Sequence, residues 1–330
     1  MIQHPAILAL LVAGFLSTFL LALAGWNGAS ILRHWDLSSG SERQLRLERR
    51  TYLVTSLLAL VLPIQILSLF LFIFTADGLH TLFSGAMCAA GTLQANGFGY
   101  PTLLLKLVTC TLSGLWLVLH RADIAAPDYP LIRLNHALIL LLGPLVLLEW
   151  GLEWSYFTGL RADVITSCCG SLFGQGRANL GATLAGLPLS LMRPLYWTSL
   201  LALLLSGGLL YFKKRGRLLF VGLSLIFTLI AVAALISFLC LYIYELPTHH
   251  CPFCLLQREY GFVGYLLYGS LLGVAVAGLA MGSLTPFQSK ASLAKSLPRL
   301  ERNLIGVALT CALMFALVTG IWMMVSPLRL

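Results

Sequence analysis

The run His249-His250-Cys251-Pro252-Phe253-Cys254-Leu255-Leu256-Gln257-Arg258 places two thiols three positions apart, two imidazoles directly before them and a guanidinium four residues after the second. A Cys-x-x-Cys pair can close a small disulfide ring and reopen it, and a nearby cation or helix N-terminus favours the thiolate that carries out the exchange. The pair comes just before an apolar run, so a helix N-terminus is expected close to it. The same spacing is also half of a zinc or copper site, with His249 and His250 as nitrogen ligands. A static disulfide that pins the loop is the third reading. Covalent haem attachment is excluded, because Leu255 stands where the His of a Cys-x-x-Cys-His site belongs.

Three further cysteines sit in polar or small-residue surroundings: Cys88 in Gly85-Ala86-Met87-Cys88-Ala89-Ala90-Gly91, and the adjacent Cys168 and Cys169 after Ile165-Thr166-Ser167. Neighbouring residues have Cα atoms about 3.8 Å apart, below the roughly 4.4 to 6.8 Å of ordinary disulfides, so a Cys168–Cys169 bond is strained. Either one of the two bonds Cys88 or the Cys-x-x-Cys pair while the other stays a thiol, or both bind a soft metal. Five such cysteines are an odd set, which leaves one thiol over in a fully oxidised monomer. Cys110, Cys240 and Cys311 lie inside or at the ends of apolar stretches, where a thiol packs as a small hydrophobe.

The elements that must position these groups are membrane helices. Of the 330 residues, 59% are hydrophobic and 10% charged, and the mean hydropathy is +0.91. A soluble domain carries about a quarter charged residues, so a water-soluble fold and a nucleic-acid-binding module are excluded. Runs of about 20 apolar residues predict transmembrane helices. Eight are found, over residues 6–26, 52–75, 102–119, 134–157, 195–212, 218–244, 262–281 and 304–325. Ala22-Leu23-Ala24 has the form of a signal-peptide cleavage site, but no Lys or Arg precedes the first run, which therefore reads as a helix. The expected fold is all-α, a polytopic membrane helix bundle that forms one integral membrane domain over residues 1–330. Halves at 1–158 and 195–330, joined by the loop 159–194, are the alternative partition.

Charge sets the expected orientation. Arg33, Arg43, Arg46, Arg49 and Arg50, then Arg121 and Arg133, then Lys213, Lys214, Arg215 and Arg217, then Lys290, Lys295, Arg299 and Arg302 all fall in alternate connections. These connections are cytoplasmic by the positive-inside rule, which puts both termini outside. The net charge of +9 then follows from topology and requires no anionic partner beyond the lipid bilayer. All five candidate cysteines fall on the outer side, and for a multi-pass protein of a bacterial cell inner membrane that side is oxidising.

Weaker signals accompany them. Glu149 and Glu153 share a helix face near the end of the fourth run and read either as acids of a proton or ion path or as snorkelling groups in a belt with Trp150 and Trp154. Lys106 either snorkels or pairs with one of them. Asp77 and His80 share the loop of Cys88, and Arg161 reads as a solvated loop pair with Asp163 or, alternatively, as a cation that favours a thiolate nearby.

Cys251-Pro252-Phe253-Cys254-Leu255-Leu256-Gln257-Arg258, next to an apolar run, resembles the Cys-x-x-Cys-[Leu/Ile]-x-x-Arg signature of the DsbB family of quinone-linked, disulfide-forming membrane proteins. The resemblance covers these eight residues and the run that follows. It implies that Cys254 faces a quinone, that Arg258 stabilises the Cys254 thiolate or the reduced quinone, and that Cys251 exchanges with another thiol. The implied partner is an extracytoplasmic thiol protein of thioredoxin-like type. Family members are short four-helix bundles whose second cysteine pair follows the first, whereas here a single apolar run follows Cys254. Any second redox group must come from Cys88, Cys168 and Cys169. The competing class is a soft-metal (Cu or Zn) binding or transport protein that uses Cys88, Cys168, Cys169, Cys251, Cys254, His249 and His250. A structural subunit whose cysteines staple loops is the third.

Overall fold

The computed structural model describes residues 3–36, 39–161, 164–166 and 180–328. Among them the regular structure is helical throughout: α1 (Pro5–His34), α2 (Glu42–Gly78), α3 (Ala89–Leu93), α4 (Gly99–Asp123), α5 (Ile132–Thr158), α6 (Leu180–Ala185), α7 (Leu189–Lys213), α8 (Arg217–Ala234), α9 (Cys240–Tyr244), α10 (Val263–Leu284) and α11 (Leu297–Val325). Leu235–Leu239 forms a π-turn that joins α8 to α9. Among the described residues, eight helical spans are long and apolar enough to cross a membrane, so the fold is an all-α, multi-pass one.

The spans match the apolar runs but extend past them. The second helix, for example, begins in the charged stretch Glu42-Arg43-Gln44, because helix formation needs only good local propensity and not apolarity. Large apolar side chains remain exposed along the spans, among them Leu16, Phe19, Leu60, Leu67, Leu205 and Leu229. In water this pattern would be an aggregation hazard, whereas in a bilayer it is the lipid-facing surface.

The chain divides into two compact units. The first comprises Met1–Thr75, Asn96–Leu160 and Leu284–Leu300. Its centre is formed by Leu21 and Ala24 of α1, Leu58 and Leu62 of α2, Trp116 of α4, and Ile139, Leu142 and Val146 of α5. Lipid tails are as apolar as these residues, so close packing and interhelical hydrogen bonds hold such helices together more than water exclusion does. Trp116 Nε1 donates to the Asn135 carbonyl at 3.2 Å, and Trp150 Nε1 to the Leu11 carbonyl at 3.0 Å.

The second unit comprises Ala76–Ala95, Arg161–Ser283 and Glu301–Leu330. Tyr196 of α7 packs edge-on against Phe238 and Phe315 and is stacked near Phe227. Its hydroxyl lies 3.1 Å from Thr319 Oγ1 of α11, so the polar tip of the ring is satisfied inside an apolar interior. Residues 76–95, which carry Cys88 and include the last residues of α2, group with this unit.

Candidate functional site

Cys88 precedes α3 with an extended backbone, φ −160° and ψ −179°. The short helix it introduces is held by Asp77, whose Oδ1 accepts the Ala89 N–H at 3.0 Å and so satisfies one orphan donor of its first turn. Upstream, Gly85 adopts φ +85° and packs its Cα face against the Thr166 carbonyl, which leaves no space for a Cβ. Thr166 N–H donates to the Ser84 carbonyl at 3.0 Å. These contacts hold the Cys88 turn from both sides.

The Cys251–Cys254 segment is fixed through its backbone by side chains of α9 and α10. The Tyr244 hydroxyl at the end of α9 donates to the Cys251 carbonyl at 2.6 Å, and Cys240 Sγ approaches the same oxygen at 3.9 Å. The Tyr268 hydroxyl of α10 donates to the Pro252 carbonyl. His250 donates through Nδ1 to the Ile236 carbonyl at 2.9 Å. Ile236 lies in the π-turn, where the wider helical register alters the usual backbone pairing, and the imidazole takes up a carbonyl of that turn. Gln257 Nε2 donates to the Met87 carbonyl at 2.7 Å and ties this segment to the Cys88 turn.

The outcome is a triangle of sulfurs. Cys88 Sγ lies 3.7 Å from Cys251 Sγ, and the sulfurs of Cys88, Cys251 and Cys254 all fall within 4.8 Å of one another. All three residues are buried. His249 Nε2 sits 3.3 Å from Cys254 Sγ, and its ring meets Tyr244 edge-on at 4.5 Å. Two chemistries suit this arrangement. A sulfur–sulfur approach just beyond contact lets a thiolate attack a neighbouring disulfide with only a rotamer change. Metal–sulfur bonds of about 2.3 Å in tetrahedral array put sulfurs about 3.8 Å apart, so the same triangle also suits a soft ion; His249 Nε2 approaches it at the Cys254 corner.

The structure therefore brings together Cys88, Cys251, Cys254 and His249 of the residues expected at the site. His250 lies close in the chain but is committed to the π-turn through Nδ1. Arg258 is exposed, on a 3₁₀ turn of Arg258–Tyr260. Cys168 and Cys169 lie outside the described residues. The expectation of a helix N-terminus next to the thiols is corrected: Cys254 opens a 3₁₀ turn of Cys254–Leu256, and α10 begins only at Val263. Gly261 and Phe262, at φ +62° and +56°, break the chain before that helix, so its dipole does not end at the thiols.

Cys240, Tyr244 and Tyr268 were not legible as site residues, because each reads as an ordinary member of an apolar run. The one available signal was positional, since Cys240 and Tyr244 end the run that leads into the His249–Cys254 loop.

A second polar cluster lies in the first unit. Lys106 Nζ of α4 is 2.7 Å from Glu149 Oε1 and 3.2 Å from Glu153 Oε1 of α5, with all three side chains buried. Lys106 thus pairs with both acids and does not snorkel.

No family model, curated protein or solved structure matches this chain. Fold and site define it as an all-α, multi-pass helical protein that carries a buried three-thiol cluster.

Proposed function

We propose that this protein is a membrane thiol–disulfide oxidoreductase of a bacterial inner membrane, which exchanges electrons between extracytoplasmic protein thiols and a membrane quinone through outward-facing cysteines. The observation that carries the reading is the 3.7 Å approach of Cys88 Sγ to Cys251 Sγ within a triangle completed by Cys254. Cys251 has two sulfurs in reach and can hold a disulfide with either, which a relay requires and a loop staple does not. In the direction of thiol oxidation, a partner dithiol attacks a disulfide of the triangle through a mixed disulfide. The partner leaves with a new disulfide, and two thiols remain on the chain. Two electrons and two protons then pass to a quinone, which leaves as the quinol, and the disulfide closes again. Arg258, four residues after Cys254, is the group this reading assigns to the quinone oxygen, and Cys168 and Cys169 are further exchange partners for Cys88.

The test is thiol-dependent reduction of a short-chain quinone by the purified protein in lipid vesicles, with a reduced thioredoxin-like protein as donor. Loss of turnover in both Cys251→Ser and Cys254→Ser is expected, with little metal in the wild-type protein.

A second reading rests on the three sulfurs, a donor set suited to Cu(I) or Zn(II), with His249 Nε2 3.3 Å from Cys254 Sγ at its edge. About one tightly held ion per chain, lost in the same two variants and with no thiol turnover, selects this reading instead.

A further inference from the structure

We propose that Glu153 is a proton-binding site: in the first unit it takes up and releases one exchangeable proton beside the fixed ion pair of Lys106 and Glu149. The inference is independent of the thiol chemistry, since every residue it uses belongs to that unit.

The two carboxylates are built differently. Glu149 accepts from Lys106 Nζ at 2.7 Å, from Gln65 Nε2 at 2.8 Å on each oxygen and from the Thr109 hydroxyl. Donors aimed at a carboxylate stabilise its ionised form. Lys106 is held in turn, with Nζ 3.3 Å from Ser68 Oγ. Glu153 is 0% exposed, and no hydroxyl, amide or backbone N–H donates to either of its oxygens among the described residues. Its one polar partner among the described residues is the Lys106 ammonium at 3.2 Å, which Glu153 shares with Glu149 and Ser68.

Charge counting leads to the same conclusion. One ammonium faces two carboxylates, so the fully ionised cluster holds one uncompensated negative charge in an apolar unit, the situation a buried site avoids by binding a proton. Among the described residues, α1, α2, α4 and α5 supply no other cation near the cluster. The basic residues of α1 are in its last turn, those of α2 lie within residues 43–50, and those of α4 and α5 other than Lys106 stand at His120, Arg121, Arg133 and His136. Two further ionisable groups lie nearby and are buried: Cys110, one position beyond Thr109, and Tyr156, three positions beyond Glu153 and packed on the Phe72 ring that Lys106 Nζ approaches. Helix α1 closes the site at Gly14, where an added Cβ would come 2.7 Å from Trp150 Cδ1 and 3.5 Å from Glu153 Oε2. A metal cation is disfavoured by the Lys106 ammonium, which already occupies the space between the acids. On uptake, an O–H bond forms on a Glu153 oxygen, and Lys106 and Glu149 remain as a balanced pair. Release returns the proton to water.

Infrared difference spectroscopy of the full chain in lipid vesicles, between acidic and alkaline buffer, tests this. The expected signal is the carbonyl stretch of a protonated carboxylic acid that titrates, shifts in D₂O and moves with ¹³C-labelled glutamate. In Glu153→Asp the band should follow ¹³C-labelled aspartate instead, whereas in Glu149→Asp it should stay with glutamate. Lys106→Met removes the ammonium, and the band should roughly double as Glu149 also takes a proton. A wild-type protein without the band, a band that neither titrates nor exchanges, or a band that follows the label at position 149 overturns the proposal. The wild-type and Lys106→Met spectra decide it even if Glu153→Asp does not fold.

Discussion

Cys88 and Cys251 are 163 positions apart in the chain, yet their sulfurs lie 3.7 Å from each other, within a cluster that Cys254 completes. The first residue stands on a turn after α2 and the second on a turn after α9, and the bond from Gln257 Nε2 to the Met87 carbonyl joins the two turns. The pairing should be chemically accessible. Mild oxidation of Cys254→Ser is expected to yield a Cys88–Cys251 disulfide, seen as a cross-linked peptide by mass spectrometry without reduction. Failure of any such link to form would show that the 3.7 Å approach is not available for exchange.

The topology can be checked without touching the buried thiols. Met87 and Leu246 are exposed on the turns that flank the site, and Arg215 is exposed on the α7–α8 connection. In intact cells, Met87→Cys and Leu246→Cys should react with a membrane-impermeant maleimide, and Arg215→Cys only after permeabilisation. The opposite labelling pattern would place the sulfur triangle in the reducing cytoplasm and remove the basis for the redox reading.

The hydrogen bonds that hold the Cys251–Cys254 backbone should control how strongly the thiols are protected. Tyr244→Phe removes the hydroxyl that reaches the buried Cys251 carbonyl at 2.6 Å and leaves only the weak approach of Cys240 Sγ. A loss of about 1–3 kcal/mol in stability is expected. His250→Ala frees the Ile236 carbonyl in the π-turn, with a similar cost. In both variants Cys251 and Cys254 should alkylate several-fold faster than in the wild-type protein. Wild-type alkylation rates in both would mean that these bonds do not limit opening of the site.

Arg258 offers the sharpest test of the quinone arm. Lys keeps the charge at that position but loses the planar fork of the guanidinium, and Gln loses both. Quinone reduction should fall severely in Arg258→Gln and partially in Arg258→Lys, with partner-thiol exchange at Cys251–Cys254 retained. Its exposure makes a large effect on folding unexpected. Wild-type quinone turnover in Arg258→Gln would leave Arg258 as an interfacial anchor and the thiols as a generic exchange pair.

The eight spans were determined by the sequence alone, because membrane crossing depends on hydropathy averaged over about 20 neighbouring residues, which is a local property. The thiol pair was equally legible, since Cys251 and Cys254 are close in the chain whatever the fold. Tertiary structure decided which distant groups join them. Nothing in the composition of 85–91 distinguishes Cys88 from another loop cysteine, and the fold alone brings its sulfur to Cys251. The same holds for the two histidines. They are adjacent in sequence and chemically identical, but backbone direction sends His249 toward Cys254 Sγ and His250 toward the Ile236 carbonyl. Helical periodicity put Glu149 and Glu153 on one face, but whether that face met water, lipid or a cation depended on the packing of α4 against α5. That packing buries Lys106 between the two acids, where charge balance allows only one of them to remain ionised without a proton.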